Sequence, residues 1–181
     1  MPQALRCTVI LLALTSALSG FGHAQYQHTE YEVKAAYLYQ FGRFVRWPSN
    51  SGSGFPICIL GYDPFGSLLD STVEGETVDG KRLSVRRISS APQAADCRIL
   101  FISSSEQHRL GSILAALAGQ PVLTVSDLPD FCDHGGMIQF VVEGERVRFA
   151  VNRDAAERAN LTFSSDLLRV AMLVKGNQPP R

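Results

Sequence analysis

Arg98-Ile99-Leu100-Phe101-Ile102-Ser103 is an apolar run with a polar residue at each end. Apolar residues in sequence, without alternation, fit a strand buried on both faces, as in a parallel sheet. The flanks agree. Ser103, Ser104 and Ser105 can cap a helix over Ser104 to Ala118, Gly119 can end it, and Val122 to Val125 is another short strand. Upstream, Phe55 to Tyr62 contains Pro56-Ile57-Cys58-Ile59-Leu60-Gly61, a second buried strand. Asp63-Pro64-Phe65-Gly66 then turns into a short helix, Ser67 to Val73. Asp79-Gly80 is a turn, and Leu83, Val85 and Ile88 mark a further strand, with Arg82, Arg86 and Arg87 mostly facing water. Strands alternating with helices predict a single layered α/β domain, its central sheet mixed but largely parallel and flanked by helices.

The ends of the chain add to this frame. Glu30 to Trp47 reads as a helix with Thr29 as N-cap, carrying Val33, Tyr37, Phe41 and Phe44 at three- and four-residue steps, with Leu38 and Val45 beside them. Pro48 closes it, and Ser49 to Gly54 is a flexible loop. Met137 to Val142 and Arg146 to Val151 flank Glu143-Gly144-Glu145 and read as a β-hairpin in the C-terminal half. Phe149 and Val151 alternate there with polar Arg148 and Asn152. Two short helices follow, Arg153 to Asn160 and Ser164 or Ser165 to Val174, before a polar tail from Lys175 to Arg181.

The 181 residues carry 17 Lys+Arg against 17 Asp+Glu, a formal net charge of +0 that excludes a strongly basic nucleic-acid binder and an acidic solvating tail. With 45% hydrophobic residues the chain can build a core. The first 24 residues read as a secretory signal peptide. Arg6 supplies positive charge, Thr8 to Leu18 is the apolar run, and Gly22-His23-Ala24 offers small residues for cleavage. The run is too short for a membrane anchor. Cys7 lies before it, so it is not a lipoprotein cysteine. Residues 25–181 are then the working domain: 157 of the 181 residues, with net charge −1 once Arg6 is gone, and three cysteines, Cys58, Cys97 and Cys132. No later segment is apolar enough for membrane insertion, which predicts a soluble protein of an oxidising compartment.

Cys58 sits early in one predicted strand and Cys97 just before another, so if these strands are neighbours the two can form a disulfide. Two buried free thiols are the alternative. Cys132 is left unpaired, either free or paired between subunits. Cys132-Asp133-His134, with His108, invites a metal reading, but the spacing fits no common zinc motif and a polar turn before Gly135-Gly136 accounts for it. Three loops follow predicted strands and are candidate ligand loops: Gly61 with Asp63, Ser103 to Ser105, and Asp127. Ordinary turns and caps would use the same residues. No glycine-rich phosphate motif, nucleophile elbow or paired carboxylate with a histidine is present, so neither an enzyme nor a cofactor is expected. The exposed side of the first helix (Glu32, Arg43, Arg46) and the last helix (Leu168, Met172) are candidate partner contacts.

The ordered set of segments resembles the YfiR family. The matching stretches are Val33 to Phe41 with Phe44-Val45 and Trp47-Pro48, Ile57 to Gly61 with Asp63 to Gly66, Cys97 to Ser103, Val122 to Asp127, Gly135 to Ile138, Phe149 to Asn152 with Ala155-Ala156, and Leu161 with Ser164 to Leu168. The resemblance implies a non-enzymatic, dimeric periplasmic repressor. Such a protein holds an inner-membrane diguanylate cyclase (YfiN) inactive through its periplasmic domain and is sequestered by an outer-membrane lipoprotein (YfiB). Release raises cyclic di-GMP and promotes biofilm formation. Cys58 and Cys97 fall where the family's redox-responsive pair falls. Cys132 fits the first position of a second pair, but Asp133 to Val142 holds no cysteine to complete it. A different class of function, a periplasmic small-ligand-binding sensor module built on the strand-end loops, stands beside this reading.

Overall fold

The computed structural model describes residues 19–48 and 54–174. The apolar run of the signal peptide, the loop residues 49–53 and the tail 175–181 lie outside the described residues.

The first helix, α1, spans Ser19–Phe44 and continues directly into a two-residue strand, β1 (Val45–Arg46). Thr29, expected to cap the helix, lies inside it, because no proline interrupts the chain before Pro48. The helix face that is buried also differs by one position from the expected stripe. Lys34, Ala35, Leu38, Phe41 and Val45 are buried, whereas Val33 is exposed and Tyr37 and Phe44 are half-buried.

The expected runs then become β2 (Phe55–Leu60), α2 (Ser67–Val73), β4 (Lys81–Ile88), β5 (Ile99–Ile102) and β6 (Leu123–Ser126). A short strand not anticipated, β3 (Thr77–Val78), pairs antiparallel with β4 across Asp79-Gly80, both with positive φ (51° and 73°). The helix expected over Ser104 to Ala118 is split into a 3-10 segment, Ser104–Arg109, and α3, Leu110–Ala116. The hairpin forms as β7 (Ile138–Glu143) and β8 (Arg146–Asn152), its ladder closing at Glu143 opposite Arg146 around Gly144 and Glu145. Phe149, Ala150, Val151 and Asn152 are all buried, so the end of β8 is covered on both faces rather than alternating. Next come α4 (Arg153–Arg158), β9 (Thr162–Phe163), which pairs with β1, and α5 (Ser165–Val170).

The predicted final helix stops early. Ala171 turns extended, and β10 (Met172–Val174) joins the sheet beside β8. Ladder hydrogen bonds with the open edge of β8 satisfy backbone groups that one more helical turn would have left to solvent.

The sheet order is β3-β4-β2-β5-β6-β7-β8-β10, with β4, β2, β5, β6 and β7 mutually parallel. The fold is therefore α/β with a mixed, mostly parallel sheet. Strand residues alternate between two cores. Ile57, Ile59, Ile99, Phe101, Leu123 and Val125 pack against α1, α2, α4 and α5. Cys58, Leu60, Leu100 and Ile102 pack against Leu110, Ile113 and Leu117 on the opposite side. Phe41 anchors α1 on the hairpin, its ring 5.9 Å from Phe140 and 5.0 Å from Phe149.

A cleft where the sheet reverses its order

The strand first in sequence among the parallel set, β2, lies between β4 and β5. The chain therefore leaves β2 toward one side and returns across it to the other. The connection through α2 packs with the α1 core, while those through Ala94 and α3 pack on the opposite face. Connections that diverge to opposite faces leave a crevice at the carboxyl ends of the two strands, the usual ligand position in doubly wound sheets. Here it is a cavity of about 770 Å³ lined by Tyr31, Tyr62, Phe65, Ser103, Ser104 and Asp127 among others.

All three loops singled out from sequence meet around this crevice. Gly61, at φ +91°, is pressed against the next loop: a Cβ there would come within 2.8 Å of Glu106 Cγ, so only glycine fits without displacing a neighbour. The Tyr62 amide donates to Ser105 Oγ (2.9 Å), tying the β2 and β5 loops together. Ser103 Oγ accepts from the Ser105 amide at 3.4 Å. Asp63 holds its own turn, with Oδ1 accepting from the amides of Phe65 (2.8 Å) and Gly66 (3.2 Å). Its Oδ2 accepts from Arg87 Nε at 2.8 Å. Arg87 also holds Asp70 and the Gly66 carbonyl. The hydrogen bond from Arg87 lowers the pKa of Asp70 despite some opposing desolvation. Asp63, Ser103 and Ser105 are therefore occupied in shaping the loops. Gly61 sets their close approach, and Ser104 and Asp127 line the open space.

Asp127 is reached by a residue the sequence pattern missed. Lys34 is only 2% exposed, and its ammonium sits 2.8 Å from Asp127 Oδ2 and 2.5 Å from Glu30 Oε1. Tyr31 also donates to Asp127 Oδ2 (3.1 Å). Burial first, and then the Asp127 charge, push the Tyr31 phenol well above its ordinary pKa, which keeps it a donor. The lysine occupies a position apolar periodicity assigns to core. The Glu30–Lys34 spacing of four was the available signal, but it equally describes a solvent-exposed helical pair.

On the opposite side of the sheet Cys58 and Cys97 are joined in a disulfide, Cα–Cα 5.9 Å. Cys132 is free and buried. Burial, with a smaller contribution from Asp133, pushes its thiol up to about 12. His134 lies in the turn, its Nδ1 2.7 Å from the Asp130 carbonyl.

A second concavity, about 340 Å³, lies between α1 and α5 and is lined by Tyr37, Phe41, Phe44, Phe149, Leu167 and Val170 among others. Val170 beside it is 71% exposed. The expected contact residues are spread more widely. Arg43 and Arg46 are exposed, Leu168 is half-buried against the core, and Met172 is exposed on the edge strand.

A family model described as YfiR/HmsC-like matches residues 31–172, from the cleft tyrosine on α1 to the edge strand β10. The chain belongs to the YfiR/HmsC-like family. This family is regulatory rather than catalytic, is periplasmic, and acts through a protein partner, which suggests regulation of a diguanylate cyclase. Among the described residues no helix is long and apolar enough to cross a membrane.

Proposed function

We propose that the exported domain, residues 25–181, is a periplasmic inhibitory binding protein. It holds the periplasmic domain of a YfiN-like inner-membrane diguanylate cyclase in its inactive state, and a YfiB-like outer-membrane lipoprotein relieves the block by sequestering it. Cyclic di-GMP and biofilm formation then follow the free cyclase. The observation that carries this reading is the family match across residues 31–172. Repression of this kind requires no chemistry from the repressor, only tighter binding to the inactive cyclase than to the active one. An apolar groove beside the exposed Val170 supports a protein-binding role for the α1–α5 face. Arg43, Arg46, Leu168 and Met172 are secondary contacts in this reading, and a homodimer is its working form.

Deleting the gene in its native host should raise cyclic di-GMP, measured by mass spectrometry of extracts. The wild-type gene should restore the low level, and Val170→Asp should not. Unchanged cyclic di-GMP on deletion overturns the proposal. N-terminal sequencing of the periplasmic fraction should give Gln25 as the first residue.

A further inference from the structure

The crevice at the order reversal has a chemistry of its own. Among its described lining residues Asp127 alone carries a charge, and that charge is negative. The wider surroundings point the same way. Glu30, Lys34 and Asp127 together hold two carboxylates against one ammonium. Asp63, Asp70 and Arg87, behind the β2 turn, repeat that balance with a guanidinium. An anion placed there would meet no positively charged side chain among the described lining residues, and an added positive charge would find net attraction from both groups.

The contacts of Asp127 leave room for such a charge. Both of its described side-chain bonds, from Lys34 Nζ and Tyr31 OH, go to Oδ2, and no described hydrogen bond reaches Oδ1. The carboxylate is largely but not wholly buried, at 16% side-chain exposure. Low local dielectric strengthens its field, and its two donors fix its position. Tyr62, which lines the same crevice, is 75% exposed, the most exposed large hydrophobic side chain among the described residues. A partly buried carboxylate and a solvent-exposed aromatic ring lining one crevice are the two elements that recognise organic ammonium groups: carboxylate for the charge, ring face for the polarised carbons around it.

We propose that this crevice is a binding site for a small organic ammonium cation, with Asp127 as the counter-ion and Tyr62 as the aromatic wall. The site stands on the geometry of the crevice and does not depend on the repressor reading. A protein that binds a cyclase can bind a small cation elsewhere, so failure of either leaves the other in place.

Choline and putrescine are the probes, titrated calorimetrically into the purified protein at low ionic strength, with sorbitol and glutarate as neutral and anionic controls. Saturable binding of at least one cation is expected, and none of glutarate or sorbitol. Tyr62→Ala, at an exposed position, should weaken binding about three- to tenfold, the range of a cation–π contact. Ser104→Phe, also at an exposed position, should intrude on the crevice and weaken binding. Asp127→Asn should weaken it about tenfold or more, read only if its circular dichroism spectrum matches wild type. Absence of saturable binding by both cations overturns the site. So does cation binding unchanged in Tyr62→Ala and Ser104→Phe, or preference for the anion or the polyol.

Discussion

Reducing the Cys58–Cys97 bridge should destabilise the domain by about 4 kcal/mol, the chain-entropy expectation for closing a loop with a sequence separation of 39. Both cysteines are buried, and they join the second half of β2 to the segment just before β5, at the centre of the sheet. The bridge thus ties together the two paired strands at whose carboxyl ends the cleft lies. At about 2–4 °C per kcal/mol for a domain of this size, the midpoint should fall by roughly 8–16 °C. The assay is thermal unfolding followed by circular dichroism, with and without a phosphine reductant. Cys58→Ala/Cys97→Ala should unfold at the reduced wild-type midpoint or below it and show no further response to reductant. Cys132→Ala should keep the full response, because Cys132 takes no part in the bridge. A wild-type shift below about 1 kcal/mol would falsify the loop-entropy reasoning. A reductant response surviving in the double variant would place the stabilising bridge elsewhere.

Three further outcomes are expected. Lys34→Ala should cost about 3–5 kcal/mol in urea unfolding, because it strands the carboxylates of Glu30 and Asp127 beside a buried helix face, and a loss under about 1 kcal/mol would contradict the buried-pair assignment. Gly136→Ala should cost about 1–3 kcal/mol, since the new Cβ would stand within 2.5 Å of Phe131 Cζ in a ring with no exposure, and an unchanged urea midpoint would refute that close packing. The Cys132 thiol has an ordinary pKa of 9.0 and a folded one of about 12, so well below pH 9 it is neutral folded or unfolded and adds no pH dependence. Above that, the unfolded chain loses the proton first, and stability should fall by up to about 1.4 kcal/mol per pH unit until about pH 12, a slope that Cys132→Ala should reduce.

Much of the architecture was legible because the parallel strands announce themselves. Ile57-Cys58-Ile59-Leu60 and Ile99-Leu100-Phe101-Ile102 are buried on both faces, and such runs have few other uses in a chain this short. The loops after them were equally readable as candidates, since strand ends in such sheets collect ligands, and they converge as the topology requires. What stayed hidden depends on tertiary pairing. Met172-Leu173-Val174 continues an apolar helical pattern from Leu167, and only the open edge of β8 makes it a strand. Lys34 reads as a solvent-facing residue until Asp127, 93 positions away, is brought to it. A periodicity sums hydrophobicity along one element and has no access to a partner that distant.

Repression as proposed requires this chain to inhibit a diguanylate cyclase by direct contact. Membrane vesicles carrying a diguanylate cyclase with a periplasmic domain from the native host, that domain facing the added protein and GTP supplied on the catalytic side, report the contact as activity. The rate of cyclic di-GMP formation should fall saturably as the purified protein is added, and Val170→Asp should shift the curve to higher concentration. A rate that stays constant through saturating protein rules out direct inhibition.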